Sequence, residues 1–212
     1  MNVTKILLTN DQFYDTVQSK KQIVLHHTAG GPNPFNVVHG WQFSPERVAT
    51  SYVISGKEDS TKKYKEGEII QCFDDSKWAY HLGLKNTANE KLNQESIGIE
   101  ICNWGQLILK DGKYLNYVNK EVPATEVVKL EPPYRGFVYF HKYSDKQLAS
   151  LKTLLEFLTQ KYNISTIYHD KMFEVNNEAL AGASGIWSHT SYRMDKVDVN
   201  PQPNLINILK SL

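Results

Sequence analysis

Apolar positions along this chain fall mostly into short continuous runs, with two longer stretches at helical spacing. "QIVLHH" (22–27), "SYVISG" (51–56), "EIIQCF" (68–73) and "SIGIEIC" (96–102) read as strands, the first of them buried on both faces. Between the second and third lies "KEDSTKKYKEG", a polar, lysine-rich hairpin region. "NPFNVVHGWQF" (33–43) spaces Phe35, Val38 and Trp41 or Gln42 for a helix, with Asn33-Pro34 as N-cap and first position. The stretch 144–162 is the strongest helix. Ser144 and Gln147 have capping-box spacing, and Leu148, Leu151, Leu155, Leu158 and Tyr162 form one stripe. "ISTIYH" reads as a further strand and "PNLINILKSL" as a closing helix. The order predicts an α/β fold: a single domain, residues 1–212, with a central mixed sheet flanked by helices. Residues 104–143 break this rhythm. They contain "DGKYLNY", "VPATEVV" and "LEPPYRGFVYF", and read as an insertion rich in Tyr, Pro and turns that either lines a site or decorates the surface.

Composition narrows the function classes. A length of 212 residues suits one well-buried domain, and 41% hydrophobic with 22% charged residues is ordinary for a soluble globular chain. The formal charge of +1 carries no basic excess of the kind that grips phosphate backbones, so no nucleic-acid partner is expected. No window approaches the roughly 18 apolar residues of a membrane span. The opening "MNVTKILLTNDQFYD" has too short an apolar run for a signal peptide, so the expectation is cytoplasmic synthesis. Cys72 and Cys102 sit inside apolar runs and are expected as free buried thiols.

The chemistry gathers around histidine. Of seven histidines, His26 and His27 are adjacent in a strand, so they point to opposite faces and only one can reach a given metal. Ile23, Val24 and Leu25 make both faces apolar, and the neighbours do not decide which. Near the C-terminus, "GIWSHTSYRMDKVDVNPQP" holds His189, Lys196 and Asp198 within one loop's reach. An imidazole and a carboxylate there suit a zinc site that leaves a coordination position open, with an ammonium beside it for charge developing on a substrate oxygen. In "NQESIGIEICNWG", alternation puts Glu100 on one face with Gly98 and Cys102, and Ile97, Ile99 and Ile101 on the other. A carboxylate so placed can serve as general base. Each feature has a bland alternative: a surface loop with scattered charges, and a rim carboxylate paired with a lysine. Trp78, Trp104 and Trp187 flank these motifs and suit sugar faces and cores equally. His39, His141 and His169 stand outside any motif.

"IVLHHTAG", "KWAYHLG" before "NQESIGIEI", and "SHTSYRMDKVD-NPQP" occur in one order and spacing. Together they resemble the zinc-dependent N-acetylmuramoyl-L-alanine amidases, the family of phage amidase-type lysozymes and peptidoglycan recognition proteins. The resemblance covers roughly residues 20–105 and 144–205, and the C-terminal motif is its most specific part. It implies zinc held by His26, His189 and Asp198, with His27 structural. It implies Lys196 as the residue that polarises the scissile carbonyl, Glu100 as the base, Tyr52 on the substrate side as reserve base, and His81 as a substrate contact. The implied reaction is hydrolysis of the amide between N-acetylmuramic acid and L-alanine, by an endolysin or wall-turnover enzyme acting as a monomer on peptidoglycan after release. The rival readings are a non-catalytic peptidoglycan-binding module on the same fold and an amidase acting on soluble muropeptides. The insertion exceeds what the compact family core needs and leaves specificity open.

Overall fold

The computed structural model describes residues 2–58, 60 and 63–212. Its centre is a six-stranded mixed sheet built from β1 (Thr4–Lys5), β2 (Gln22–His27), β3 (Tyr52–Ile54), β4 (Ile69–Gln71), β5 (Ser96–Ile101) and β11 (Gly185–Ser188), in the order β1-β4-β3-β5-β2-β11. The neighbours β3, β5, β2 and β11 run parallel, and only the β3–β4 pair is antiparallel. The predicted strands 22–27, 51–56, 68–73 and 96–102 are β2, β3, β4 and β5. The β3–β4 pairing makes the lysine-rich stretch between them a hairpin connection, part of which lies outside the described residues.

Register decides which side chains share a face. Ile23 pairs with Ile97, Leu25 with Ile99 and His27 with Ile101; Val24 pairs with Gly98 and His26 with Glu100. The first set packs under α3 (Asp145–Tyr162), whose Leu148, Leu151, Leu154, Leu155 and Leu158 are buried in the same cluster. Ser144 caps this helix as expected, in a reciprocal capping box with Gln147. The second face is covered more thinly. Val38 of α1 (Pro34–Gln42) joins Val53, Ile70 and Phe73 in a smaller cluster, and α2 (Asn89–Gln94) leads straight into β5. Asn33 caps α1 through the amide of Phe35. Two more helices, α4 (Asn177–Leu180) and α5 (Pro203–Lys210), complete the flanks. The closing helix is α5.

Two expectations change. "ISTIYH" is not a strand: residues 164–169 run without regular structure, Ile167 is 72% exposed, and the place beside β2 is taken by β11. Residues 104–143 are not a run of turns but a second, antiparallel sheet in the order β8-β7-β6-β10-β9, from β6 (Gln106–Lys110), β7 (Lys113–Leu115), β8 (Glu121–Val122), β9 (Val127–Tyr134) and β10 (Phe137–His141). Its tight hairpins turn at Asp111-Gly112 and Arg135-Gly136, where all four residues have positive φ (50°, 76°, 52° and 83°), the geometry that matches strand twist. Pro132 and Pro133 lie in β9, an edge strand, where a missing N–H costs no ladder bond. Cys72 and Cys102 are free and buried. Among the described residues no helix is long and apolar enough to cross a membrane.

Candidate metal centre and active site

His26 is the last residue but one of β2, on the thinly covered face, and His189 follows β11, the strand paired with β2, in a 3-10 turn. The loop after that turn returns Asp198, whose backbone carbonyl accepts from the Thr190 amide at 3.2 Å. Arg193 and Asp195 shape the loop through a two-pronged ion pair, Nε to Oδ1 at 3.0 Å and Nη2 to Oδ2 at 2.7 Å. This gives the Arg-x-Asp part of the sequence motif a physical purpose. The outcome is a tight triangle: His26 Nδ1 to His189 Nδ1 is 3.0 Å, His189 Nδ1 to Asp198 Oδ2 is 2.9 Å, and His26 Nδ1 to Asp198 Oδ2 is 3.3 Å. Among the described residues this is the one group of three or more such side chains with metal-holding spacing.

The donor chemistry fits a cation. His189 Nε2 lies 3.0 Å from the Leu82 carbonyl, which can only accept, so Nε2 carries the proton and Nδ1 presents a lone pair. With a carboxylate oxygen as third corner, the cluster is rich in electron pairs and poor in protons. Tetrahedral zinc with bonds of about 2.0–2.1 Å separates its ligand atoms by about 3.3 Å, close to these edges. His26 and His189 are buried, and the Asp198 side chain is 13% exposed. Burial, and next the His189 ring, hold His26 down at about 4 against the pull of Asp198. Burial would raise Asp198, but His189 and His26 together keep its carboxyl well below the ordinary range.

Glu100 stands beside His26 in the sheet register and borders a cleft of about 290 Å³, lined also by Thr28, Gly31, Asn36 and Trp41. Its Oε2 is buried with no hydrogen-bond partner. Burial raises its pKa well above the carboxylate range, Asp198 adds to the rise, and Lys196 opposes it. That opposition places the Lys196 ammonium within electrostatic reach of the carboxylate. Lys196 is half-buried on the loop before Asp198. Gly98 is needed two residues earlier for close approach: a Cβ there would sit 2.7 Å from Thr50 Cγ2 and 3.1 Å from His81 Cγ.

Two of the residues expected on the substrate side are engaged within the protein. His81 is held at both ends of its ring. Its Nδ1 lies 3.0 Å from His26 Nε2 and its Nε2 lies 2.9 Å from Ser96 Oγ, so both ring nitrogens are engaged within the protein. Tyr52 is on the wrong face. It pairs with Ile99 whereas Val53 pairs with Glu100, and its hydroxyl donates to Asp75 at 3.0 Å. Thr50, just before the strand, does approach the face that carries Gly98 and Glu100. His27 is on the opposite side from His26, 2.9 Å from the Tyr143 hydroxyl. Trp187 is fully buried and Trp78 stacks on Tyr14, both core residues, whereas Trp104 lies against Gly31 at the cleft. Ser96, which opens β5, and Asn93, near the end of α2, carry no signal in the sequence beyond being polar residues ahead of an apolar strand; both are buried.

A family model described as N-acetylmuramoyl-L-alanine amidase matches residues 17–201. No curated protein matches the chain. Among solved structures, that of PlyL is similar with a TM-score of 0.56 at 16% identity, covering 99% of this chain and 98% of that one. A mutant endolysin from Bacillus subtilis gives 0.55 at 16% identity over 100% and 97%. The N-acetylmuramoyl-L-alanine amidase LysC from Clostridium intestinale URNW gives 0.52 at 13% over 100% and 96%. At such identities the likeness speaks for the fold, while the family match spans most of the sequence, including every residue of the triangle. The chain belongs to the N-acetylmuramoyl-L-alanine amidase family.

Proposed function

We propose that this chain is a zinc amidase that hydrolyses the bond between the lactyl carbonyl of N-acetylmuramic acid and the amino group of L-alanine, with His26, His189 and Asp198 holding the metal. The observation that carries the reading is the lone-pair triangle of those three side chains with an unpartnered carboxylate, Glu100, next to it at a cleft. Zinc held there would acidify water and polarise the amide carbonyl.

Glu100 accepts the proton of the attacking water as its oxygen bonds to the carbonyl carbon. It passes that proton to the alanine nitrogen as the C–N bond breaks. Its raised pKa makes it a stronger base than an exposed carboxylate. Lys196, whose ammonium makes no hydrogen bond or ion pair among the described residues, offers it to the oxygen on which charge develops. Residues 1–212 act as one domain, with the second sheet inserted after β5.

The endolysins named among the similar structures favour intact peptidoglycan as substrate over soluble muropeptides. The test measures zinc content and the release of free amino groups from purified peptidoglycan and from disaccharide-peptides, for the native chain and Glu100→Gln. One equivalent of zinc in both, with amine release only by the native chain, is expected. Zinc binding with no release from either substrate would make the protein a binding module. A metal-replete preparation holding no zinc would overturn the ligand assignment.

A further inference from the structure

A histidine offers its Nδ1 to a metal only if its proton sits on Nε2, so something must hold that proton in place. For His189 the holder is the Leu82 carbonyl. For His26 it is a chain of side chains whose direction is fixed from its far end. Ser96 Oγ lies 2.6 Å from the Leu92 carbonyl, which only accepts, so the serine proton points there. Ser96 Oγ is then left to accept, and His81 Nε2 at 2.9 Å must donate to it. A neutral His81 protonated on Nε2 has a bare Nδ1, and His26 Nε2 at 3.0 Å donates into it. The last link leaves His26 Nδ1 bare at the triangle. Each link permits only one direction for the next.

The same corner sets the other ligand. The Asn93 side-chain oxygen accepts from the amides of His81 at 2.7 Å and Leu82 at 3.1 Å, and its Nδ2 donates to the Asn89 carbonyl at 2.6 Å. Asn93 is fully buried and Ser96 is 3% exposed. A single buried amide thus places both the ring behind His26 and the carbonyl behind His189. Resting on the zinc reading above, we infer that the α2–β5 corner, through Asn93, Ser96 and His81, is a positioning layer that turns both histidine lone pairs toward the metal before it arrives. These residues touch neither substrate nor metal; they act through the ligands.

The test reads tautomers and affinity rather than turnover alone. Long-range ¹H–¹⁵N correlation spectra of the zinc-loaded native chain should show His26, His81 and His189 all protonated on Nε2. Competition with a chromophoric chelator should show zinc affinity falling about 10–100-fold in Ser96→Ala, with melting temperature measured alongside. In its spectra His81 should become a mixture of tautomers. Finding His26 protonated on Nδ1 in the zinc-loaded native chain would overturn the inference, whether or not Ser96→Ala folds. So would Ser96→Ala binding zinc with native affinity and native tautomers. If the native chain itself takes up no zinc, the zinc reading fails as well, and that outcome is distinct from the other two.

Discussion

The two faces of the central sheet are made from alternate residues of the same strands, yet they are built to opposite ends. The face under α3 carries Ile23, Leu25, Ile97, Ile99 and Ile101, each with no exposed surface, against a leucine stripe. The other face carries His26, Ser96, Gly98 and Glu100 in the same register. On the first, the aliphatic side chains are satisfied by burial alone, and the polar ones, His27 and Tyr52, each have a hydrogen-bond partner. On the second, lone pairs crowd together, a carboxylate oxygen goes unpaired, and a glycine gives up packing so that His81 can come close. Stability is concentrated on one side and chemistry on the other, and the adjacent pair His26-His27 is where the division shows within two residues.

The comparison is tested most severely at Glu100. Glu100→Gln should lower amide hydrolysis on the order of 10²–10⁴-fold, read as amine release. It should also stabilise the zinc-free protein. Burial and Asp198 lift the folded-state pKa above the unfolded value, so between the two the folded chain keeps a proton that the unfolded chain has lost. Stability from this group therefore falls as pH rises through that window. Melting of chelator-treated protein at pH 5 and pH 8 should show Glu100→Gln gaining over the native chain, and gaining more at the higher pH. A variant that is both inactive and less stable at pH 8 would mean that the active face is packed for stability after all.

The stability face was readable from sequence and the active face only in part, for a physical reason. Period-two runs of isoleucine and a capped leucine stripe announce burial directly, which is why β2, β5 and α3 fall where the pattern puts them. Alternation also gave the separation of His26 from His27 and of Glu100 from the isoleucines. It could not say that β5 aligns Glu100 with His26, because register is a tertiary quantity. His81 is legible as a motif residue, but its partner Ser96 is not, since that contact arrives through the fold of α2 into β5. Tyr52 has no face readable from sequence, because its alignment with Ile99 and not with Glu100 is set by the β3–β5 pairing. The second sheet was hidden by its prolines and tyrosines, although Asp111-Gly112 was a hairpin signal in plain sight.

Lys196 sharpens the picture of the active face. Lys196→Met should bind zinc normally and lose about 10²–10³ in rate, as removal of one oxyanion stabiliser does. Because Lys196 holds down the pKa of Glu100, its loss should also move the acid limb of the pH–rate profile to higher pH. A rate loss with an unmoved limb would separate Lys196 from Glu100. On the opposite face, Leu155→Ala empties a fully buried position of α3 in the main core cluster and should cost about 2–5 kcal/mol in chemical unfolding. Zinc affinity and turnover of the folded fraction should stay native.

Tyr143 is the smallest of these perturbations and the one that bears on whether the two faces are independent. It is fully buried against α3's side of the sheet, and its proton goes to His27 Nδ1 at 2.9 Å, since Asn200 donates to the hydroxyl from both its backbone amide and its Nδ2, at 3.4 and 3.2 Å. Asn200 stands two residues beyond Asp198, so this hydroxyl ties His27 to the loop that carries a proposed metal ligand. Tyr143→Phe leaves those groups unpaired and should cost about 1–3 kcal/mol in stability. If zinc affinity stays native, Asp198 is placed by its own loop, through Thr190 and the Arg193–Asp195 pair. If affinity falls along with stability, the division between faces stops at the strands, and His27 serves its neighbour's metal from the far side of the sheet.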